Sequence, residues 1–172
     1  MTDWSAMIRN YGPLVWRTAY RLLTHEADAA DCFQQTFLDA VQLERSKTVS
    51  HWPAALIRIA TTRALDRLRE RYRTSARWES LSENHADRRI DEVIGHAMAE
   101  EITDHLRFAL TVIDPQQAAV FSLIVLEGCS YEVAASEMKM TTNHVGVLLN
   151  RAKAALREKL VAFAPLSKGA PS

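Results

Sequence analysis

The sequence predicts an all-α chain of two small helical domains joined by a linker, the second domain carrying a helix-turn-helix. Three observations lead there. Apolar residues recur at three- and four-residue spacing almost throughout, while alternation of period two never persists. Glycine and proline are scarce, five of each in 172 residues, and they fall at the edges of the periodic stretches. The periodicity lapses once inside the chain, from Thr74 to Ala86. The expected boundaries are a first domain over 1–73, an acidic linker over 74–97, a second domain over 98–163 and a disordered tail over 164–172.

Taken in order, Asp3 suits the cap of a first helix, with Pro13 opening or kinking its continuation to about Leu23. A second helix follows from about Glu26 to Gln42, with Ala30, Phe33, Phe37 and Val41 turned inward. The polar stretch from Leu43 to His51 reads as a loop, and Pro53 as the first turn of a third helix running to about Arg73. Spacing resumes from about Asp87 through Ile90, Ile94, Ala97, Ile102, Leu106, Ala109 and Ile113. Asp114-Pro115-Gln116-Gln117 is a helix start, with a capping acid, a proline in the first turn and an amide at the capping-box position. That helix turns Val120, Phe121, Ile124 and Val125 inward and ends at Gly128. Ser130 then caps a short helix to about Met138, Lys139 to Thr141 form a tight turn, and Thr141 caps a longer helix to about Leu160. Ala135, Lys139, Val145 and Leu148 have helix-turn-helix spacing, the small Ala135 allowing close approach of the two helices. Lys139 occupies a turn position that favours glycine, at a cost of about 1 kcal/mol.

Composition narrows the function. The chain has 48% hydrophobic residues and zero formal net charge, enough apolar content for a core and no global excess of positive charge. The distribution is uneven. Six arginines lie between Arg58 and Arg73 against Asp66 and Glu70, and four basic residues lie between Arg151 and Lys159 against Glu158. Between these segments, Glu79 to Asp104 carries eight acids against Arg88 and Arg89. Two basic segments separated by an acidic one imply nucleic acid as a partner and an acidic segment that shields the basic faces. No apolar run is long enough for membrane insertion, and the N-terminus lacks the order of a secretory signal. Cys32 and Cys129 read as free thiols, which fits a cytoplasmic location. His96 with Glu100 and Glu101 with His105 have helical spacing but read as solvated faces. Without a glycine-rich phosphate loop, nucleophile elbow or H-E-x-x-H, we expect no enzyme, cofactor or metal.

Three blocks in this order resemble the extracytoplasmic-function class of bacterial RNA polymerase sigma factors. YGPLVWRTAYRLLTHEADAADCFQQTFLDA, with its D-x-x-Q-x-x-F core, is similar to the first conserved region of that family. LIRIATTRALDRLRERYR is similar to its promoter-melting helix. DPQQAAVFSLIVLEGCSYEVAASEMKM and NRAKAAL are similar to its C-terminal helix-turn-helix region. The resemblance implies that Asp31, Gln34, Gln35 and Asp39 dock on core RNA polymerase. It also implies that Arg58, Thr62, Arg63, Arg67, Arg69 and Arg71 meet the upstream edge of the melted promoter DNA, with Trp52 available to stack on a base. On the second domain Thr142, Asn143, Gly146 and Asn150 would face the upstream promoter box, with Arg151 and Lys153 on phosphates and Gly146 letting the backbone come close to DNA. An anti-sigma factor is a further implied partner.

The chain departs from the family in two places. Thr61 and Thr62 stand where an Arg-Asn pair is usual, and His144, Gly146 and Leu148 stand where threonine, lysine and arginine are usual. Fewer hydrogen bonds to base edges are therefore expected, and more reading by shape and phosphate. A stand-alone helix-turn-helix regulator and a degenerate sigma-like protein that binds polymerase without reading promoters are the alternatives. The first leaves the ridge from Asp31 to Phe37 without a use.

Overall fold

The structure is a computed structural model and describes residues 2–79 and 104–163. The acidic segment over residues 80–103, the His96 pair and the expected disordered tail lie outside the described residues. Every described element is helical: α1 (Trp4–Leu23), α2 (Glu26–Ser46), α3 (Trp52–Glu79), α4 (Asp104–Val112), α5 (Pro115–Phe121) with a wider π turn over Ser122–Leu126, α6 (Tyr131–Met138) and α7 (Thr142–Phe163).

The caps form where the side chains for them occur. Asp3 accepts from the Ala6 N–H at 3.0 Å, and Asp114 accepts from Gln116 and Gln117 at 2.9 and 3.1 Å. Ser130 accepts from Val133 and Thr141 from His144, both at 3.2 Å. Each such cap stabilises its helix by about 1 kcal/mol. Lys139 closes α6 in the left-handed region at φ 54°, and Gly128 ends the π turn at φ 71°.

Pro13 lies inside α1 on its exposed side, and the helix continues through it to Leu23. There the carbonyl it leaves without a partner is open to water. Helix α2 runs to Ser46, taking in the first residues of the expected loop, and α3 runs through Glu79, so the first residues of the expected linker are helical. The inward face of α2 is also rotated by one position. Ala29, Cys32, Thr36, Phe37 and Ala40 are buried, whereas Ala30, Phe33 and Val41 flank them half-buried. Small side chains let α2 sit close against α3, near enough for the Cys32 thiol to donate to the Ala60 carbonyl at 3.5 Å. Apolar spacing alone weights phenylalanine above alanine and so aims the helix at its largest residues.

Two cores result. One lies among α1, α2 and α3, with Met7, Val15, Phe37, Leu56 and Ile59 surrounded by Trp4, Phe33 and Trp52. The other starts at Leu22, Leu23, Leu65 and Leu68 and continues without a break through Leu106, Leu110, Val120, Leu123, Val145 and Leu149. Leu22, Leu23, Leu56, Leu68, Leu110, Leu123 and Leu149 are each less than 2% exposed. Each such burial contributes about 1.5–3 kcal/mol. The second core joins the two halves of the chain. Helix α3 is packed on both sides, by α1 and α2 on one and by α4, the π turn and α6 on the other. This is why Ala54 to Ile57, Ala64 and Leu65 are all buried, beyond the single face carrying Leu56, Ile59, Ala60 and Leu68.

Candidate nucleic-acid interface

Helix α2 turns its inner face into the bundle and leaves Asp31, Gln34, Gln35 and Leu38 exposed together on the outer one. Leu38 is 58% exposed and lies within this polar face. Asp39 stands at the edge of this ridge and faces two ways. It accepts from Gln35 Nε2 at 2.9 Å through one oxygen and from Arg63 Nε through the other. Burial pushes the Asp39 carboxyl up, but the hydrogen bonds from Arg63 and Gln35 outweigh it and hold the group below its usual value.

The arginine stripe of α3 is present, and each arginine is already engaged. Arg67 and Arg71 both donate to Asp28, Arg67 at 2.8 Å. The Arg67 hydrogen bond, followed by that from Arg71, holds the Asp28 carboxyl below its ordinary 3.8. Arg69 donates to the Thr111 carbonyl at 3.0 Å and to Asp66 at 2.7 Å, and Arg58 donates to Glu137 of α6 at 2.8 Å. Arg63 and Arg67 remain 45% and 53% exposed, so a phosphate can reach them without unfolding anything. Thr61 is buried with an unpartnered hydroxyl, leaving Thr62 as the exposed member of the pair. The Trp52 indole packs edge-to-face on Trp4, with ring centroids 5.3 Å apart, as part of the first core.

Residues of the second half meet the first half here. Arg58 and Thr62, with Lys47 of the preceding loop, face the end of α6 across a cleft of about 330 Å³ whose far wall includes Glu137, Met138 and Lys139. A second set of contacts holds the halves together. Glu127, its side chain 1% exposed, accepts from Arg17 at 2.9 Å, from the Thr18 hydroxyl at 2.9 Å and from Arg21 at 3.2 Å. Arg21 also donates to the Leu126 carbonyl. Arg107, itself buried, donates across to the Arg21 carbonyl at 3.1 Å. Within the first half, Arg71 donates to the Leu23 carbonyl at 3.2 Å. These guanidinium groups satisfy carbonyls that the end of α1 would leave open and complement its dipole. Nothing local in the sequence marks Glu127, because its partners lie more than 100 residues away.

On α7, Thr142, Asn143, His144, Val147, Asn150, Arg151 and Lys153 are exposed, while Val145, Leu148, Leu149 and Ala152 are buried. Gly146 is not open to the surface in the way the sequence led us to expect. A Cβ built on it would lie 3.7 Å from Cε1 of Tyr131, so the α6 ring lies beside the helix where a side chain is missing. Tyr131 and Val147 were not among the residues that the sequence singled out.

Residues 7–74 match the family model for Sigma-70 region 2, and residues 105–156 match that for Sigma-70, region 4. Two regions in this order, on a three-helix bundle followed by a helix-turn-helix unit, define the class. The chain belongs to the sigma-70 family of RNA polymerase sigma factors, in its extracytoplasmic-function class. It is 31% identical over 167 residues to the ECF RNA polymerase sigma factor SigE of Mycolicibacterium smegmatis (strain ATCC 700084 / mc(2)155), which accounts for 93% of this chain and 62% of that relative. The chain thus spans less than two thirds of that relative's length. Its fold is also similar to that of the sigma factor RpoE from Bartonella quintana, solved in complex with the anti-sigma factor NepR. That likeness has a TM-score of 0.53 and 21% identity, and covers 94% of this chain and 98% of that one.

Proposed function

We propose that the protein binds core RNA polymerase and directs it to promoters, with the polymerase performing all covalent chemistry. In this reading it works in the cytoplasm, needs no cofactor and is not an enzyme. Helix α2 docks through Asp31, Gln34, Gln35 and Asp39 around Leu38, and α3 supplies cations to the DNA backbone beside the melted segment. Helix α7 lies in the major groove of the upstream box, its N-terminal half toward the bases and Arg151 and Lys153 toward phosphates. An anti-sigma factor, the class of partner with which the Bartonella quintana protein was solved, would compete with polymerase for the same chain.

The observation that carries this reading is the outer face of α2, where Asp31, Gln34, Gln35 and Leu38 stand exposed together on a packed bundle. A protein that binds DNA alone leaves this face without a use. Leu38 makes the test clean. Leu38→Glu changes an exposed position, so stability should move by no more than about 0.5 kcal/mol. The variant should fail to co-migrate with core polymerase on a sizing column, while the unaltered chain co-migrates and supports promoter-specific transcription. If the unaltered chain ignores polymerase but binds duplex DNA, the protein is a stand-alone regulator instead.

A further inference from the structure

We propose that Tyr131 and Val147 give the DNA-reading face of α7 an apolar centre, and that this centre recognises thymine methyl groups in the upstream promoter box. The inference rests on α7 entering the major groove, as set out above. Asn143, Gly146, Val147 and Asn150 lie at spacings of three, four and seven residues and so share one helix face. Val145, Leu148 and Leu149 occupy the opposite one, buried. The centre of the outward face is therefore Gly146 and Val147. Gly146 contributes no side chain, and the Tyr131 ring takes its place, 3.7 Å from where a Cβ would stand. Tyr131 is 41% and Val147 is 39% exposed, so both present apolar surface to whatever the helix meets. Tyr131 is the first residue of α6, and its backbone is fixed there by the Ser130 cap.

The charges stand to one side. Arg151 and Lys153 lie further along α7, and Leu148, at 5% exposure, places no polar group in the centre. A guanine in the major groove offers two acceptors that call for a bidentate arginine or lysine, and the centre holds neither. A thymine offers a 5-methyl group, which apolar side chains contact, and the adenines beside it suit the amides of Asn143 and Asn150. The face is therefore built for a box with A·T pairs at its middle. This is more specific than reading by shape and phosphate alone.

The test uses the full-length chain. Binding sites are selected from a pool of randomised duplexes by the polymerase–protein complex, and each thymine of the selected upstream box is then replaced singly by deoxyuridine, which lacks only the methyl group. The expected result is enrichment of A·T pairs at the centre and about fourfold weaker binding on losing each contacted methyl, the worth of one buried CH₂. Val147→Ser should erase the methyl effect at one position while leaving polymerase association unchanged, and Tyr131→Ala should erase it at a neighbouring one. Enrichment of a box whose binding does not respond to any deoxyuridine overturns the proposal and leaves promoter reading intact. Failure to enrich any sequence overturns both. If Tyr131→Ala weakens binding equally on every duplex, with or without the thymine methyl groups, the ring serves a backbone contact and its assigned role is wrong.

Discussion

Glu127→Gln is the perturbation that most directly examines how the two halves are held. The carboxylate is 1% exposed and takes three donors from α1, of which Arg17 is 56% exposed and Arg21 is 23% exposed. Hydrogen bonds to a charged group contribute about 1.5–3 kcal/mol each when buried, and the neutral amide keeps about 0.5–1.5 kcal/mol of that at the one acceptor it retains. Arg17 recovers most of its loss in water, so its share is small. Arg21 and the buried Thr18 hydroxyl account for the rest, and the net loss comes to about 2 kcal/mol. Two readouts follow. Tm should fall by about 4–8 °C, taking about 2–4 °C per kcal/mol for a chain of this size. The fraction of molecules with α1 parted from the π turn should rise about thirtyfold, at about 1.4 kcal/mol per tenfold, which native-state hydrogen exchange would register as weaker protection of the amides along that seam. A double-mutant cycle with Arg21→Gln should give a coupling above about 0.5 kcal/mol, as expected for groups in one network. Strict additivity, with Tm unmoved by Glu127→Gln, would refute the contact. A lower Tm with unchanged protection along the seam would mean that the carboxylate stabilises the fold without governing the parting of the halves.

Two more predictions concern single positions. Lys139→Gly removes a side chain held at φ 54° and should stabilise the chain by about 1 kcal/mol, raising Tm by about 2–4 °C; calorimetry reading a loss would mean that the lysine side chain contributes more than its backbone strain costs. Asp28→Asn bears on the pH dependence of stability. The folded carboxyl titrates below 3.8, held down first by Arg67 and then by Arg71. The folded state therefore binds a proton less readily than the unfolded chain. The stabilisation is complete above the unfolded value and fades as pH falls below about 4. Urea midpoints should separate the two proteins at neutral pH and converge in that acid range; a constant gap would contradict the pairing.

The parts of this fold that local chemistry determines were legible in the sequence. Asp3, Asp114, Ser130 and Thr141 each cap the helix that follows, because a short polar side chain before an apolar-periodic run does the same thing in most contexts. The exposed ridge of Asp31, Gln34 and Gln35 was legible for a related reason: polar residues at helical spacing face away from the core. What depended on distant partners was not. The inward face of α2 is set by how near α3 can come, so Cys32 and Thr36 displace Ala30 and Val41 from its centre. The burial of Ala54 and Ala55 follows from a second layer of helices that the sequence gives no reason to bring there. Tyr131 was missed because its role arises from what Gly146 lacks, fifteen positions later in the chain.

The arrangement also changes what the basic segment of α3 can do. Counting six arginines from Arg58 to Arg73 suggests a strong pull on DNA, but the chain is neutral overall and these cations are already met by Asp28, Asp39, Asp66, Glu70 and Glu137. A phosphate that takes an arginine from a carboxylate leaves that carboxylate to gather a cation from solution, which offsets part of the counterion release that drives binding. The affinity of the free protein for duplex DNA should therefore vary with salt less steeply than its arginines would imply, with Arg151 and Lys153 carrying most of the slope. Asp39 would belong to both proposed surfaces at once, since it is bonded to Gln35 on the ridge proposed to dock and to Arg63 on the side proposed to meet DNA. A partner cation that draws Asp39 toward the ridge takes the counter-charge from Arg63. Asp39→Asn should then steepen the salt slope of the free protein by about 0.9, the worth of one phosphate contact, and leave the slope of the polymerase complex nearly unchanged. An equal change in both would show that docking leaves the Asp39–Arg63 pair closed and that the two surfaces act independently.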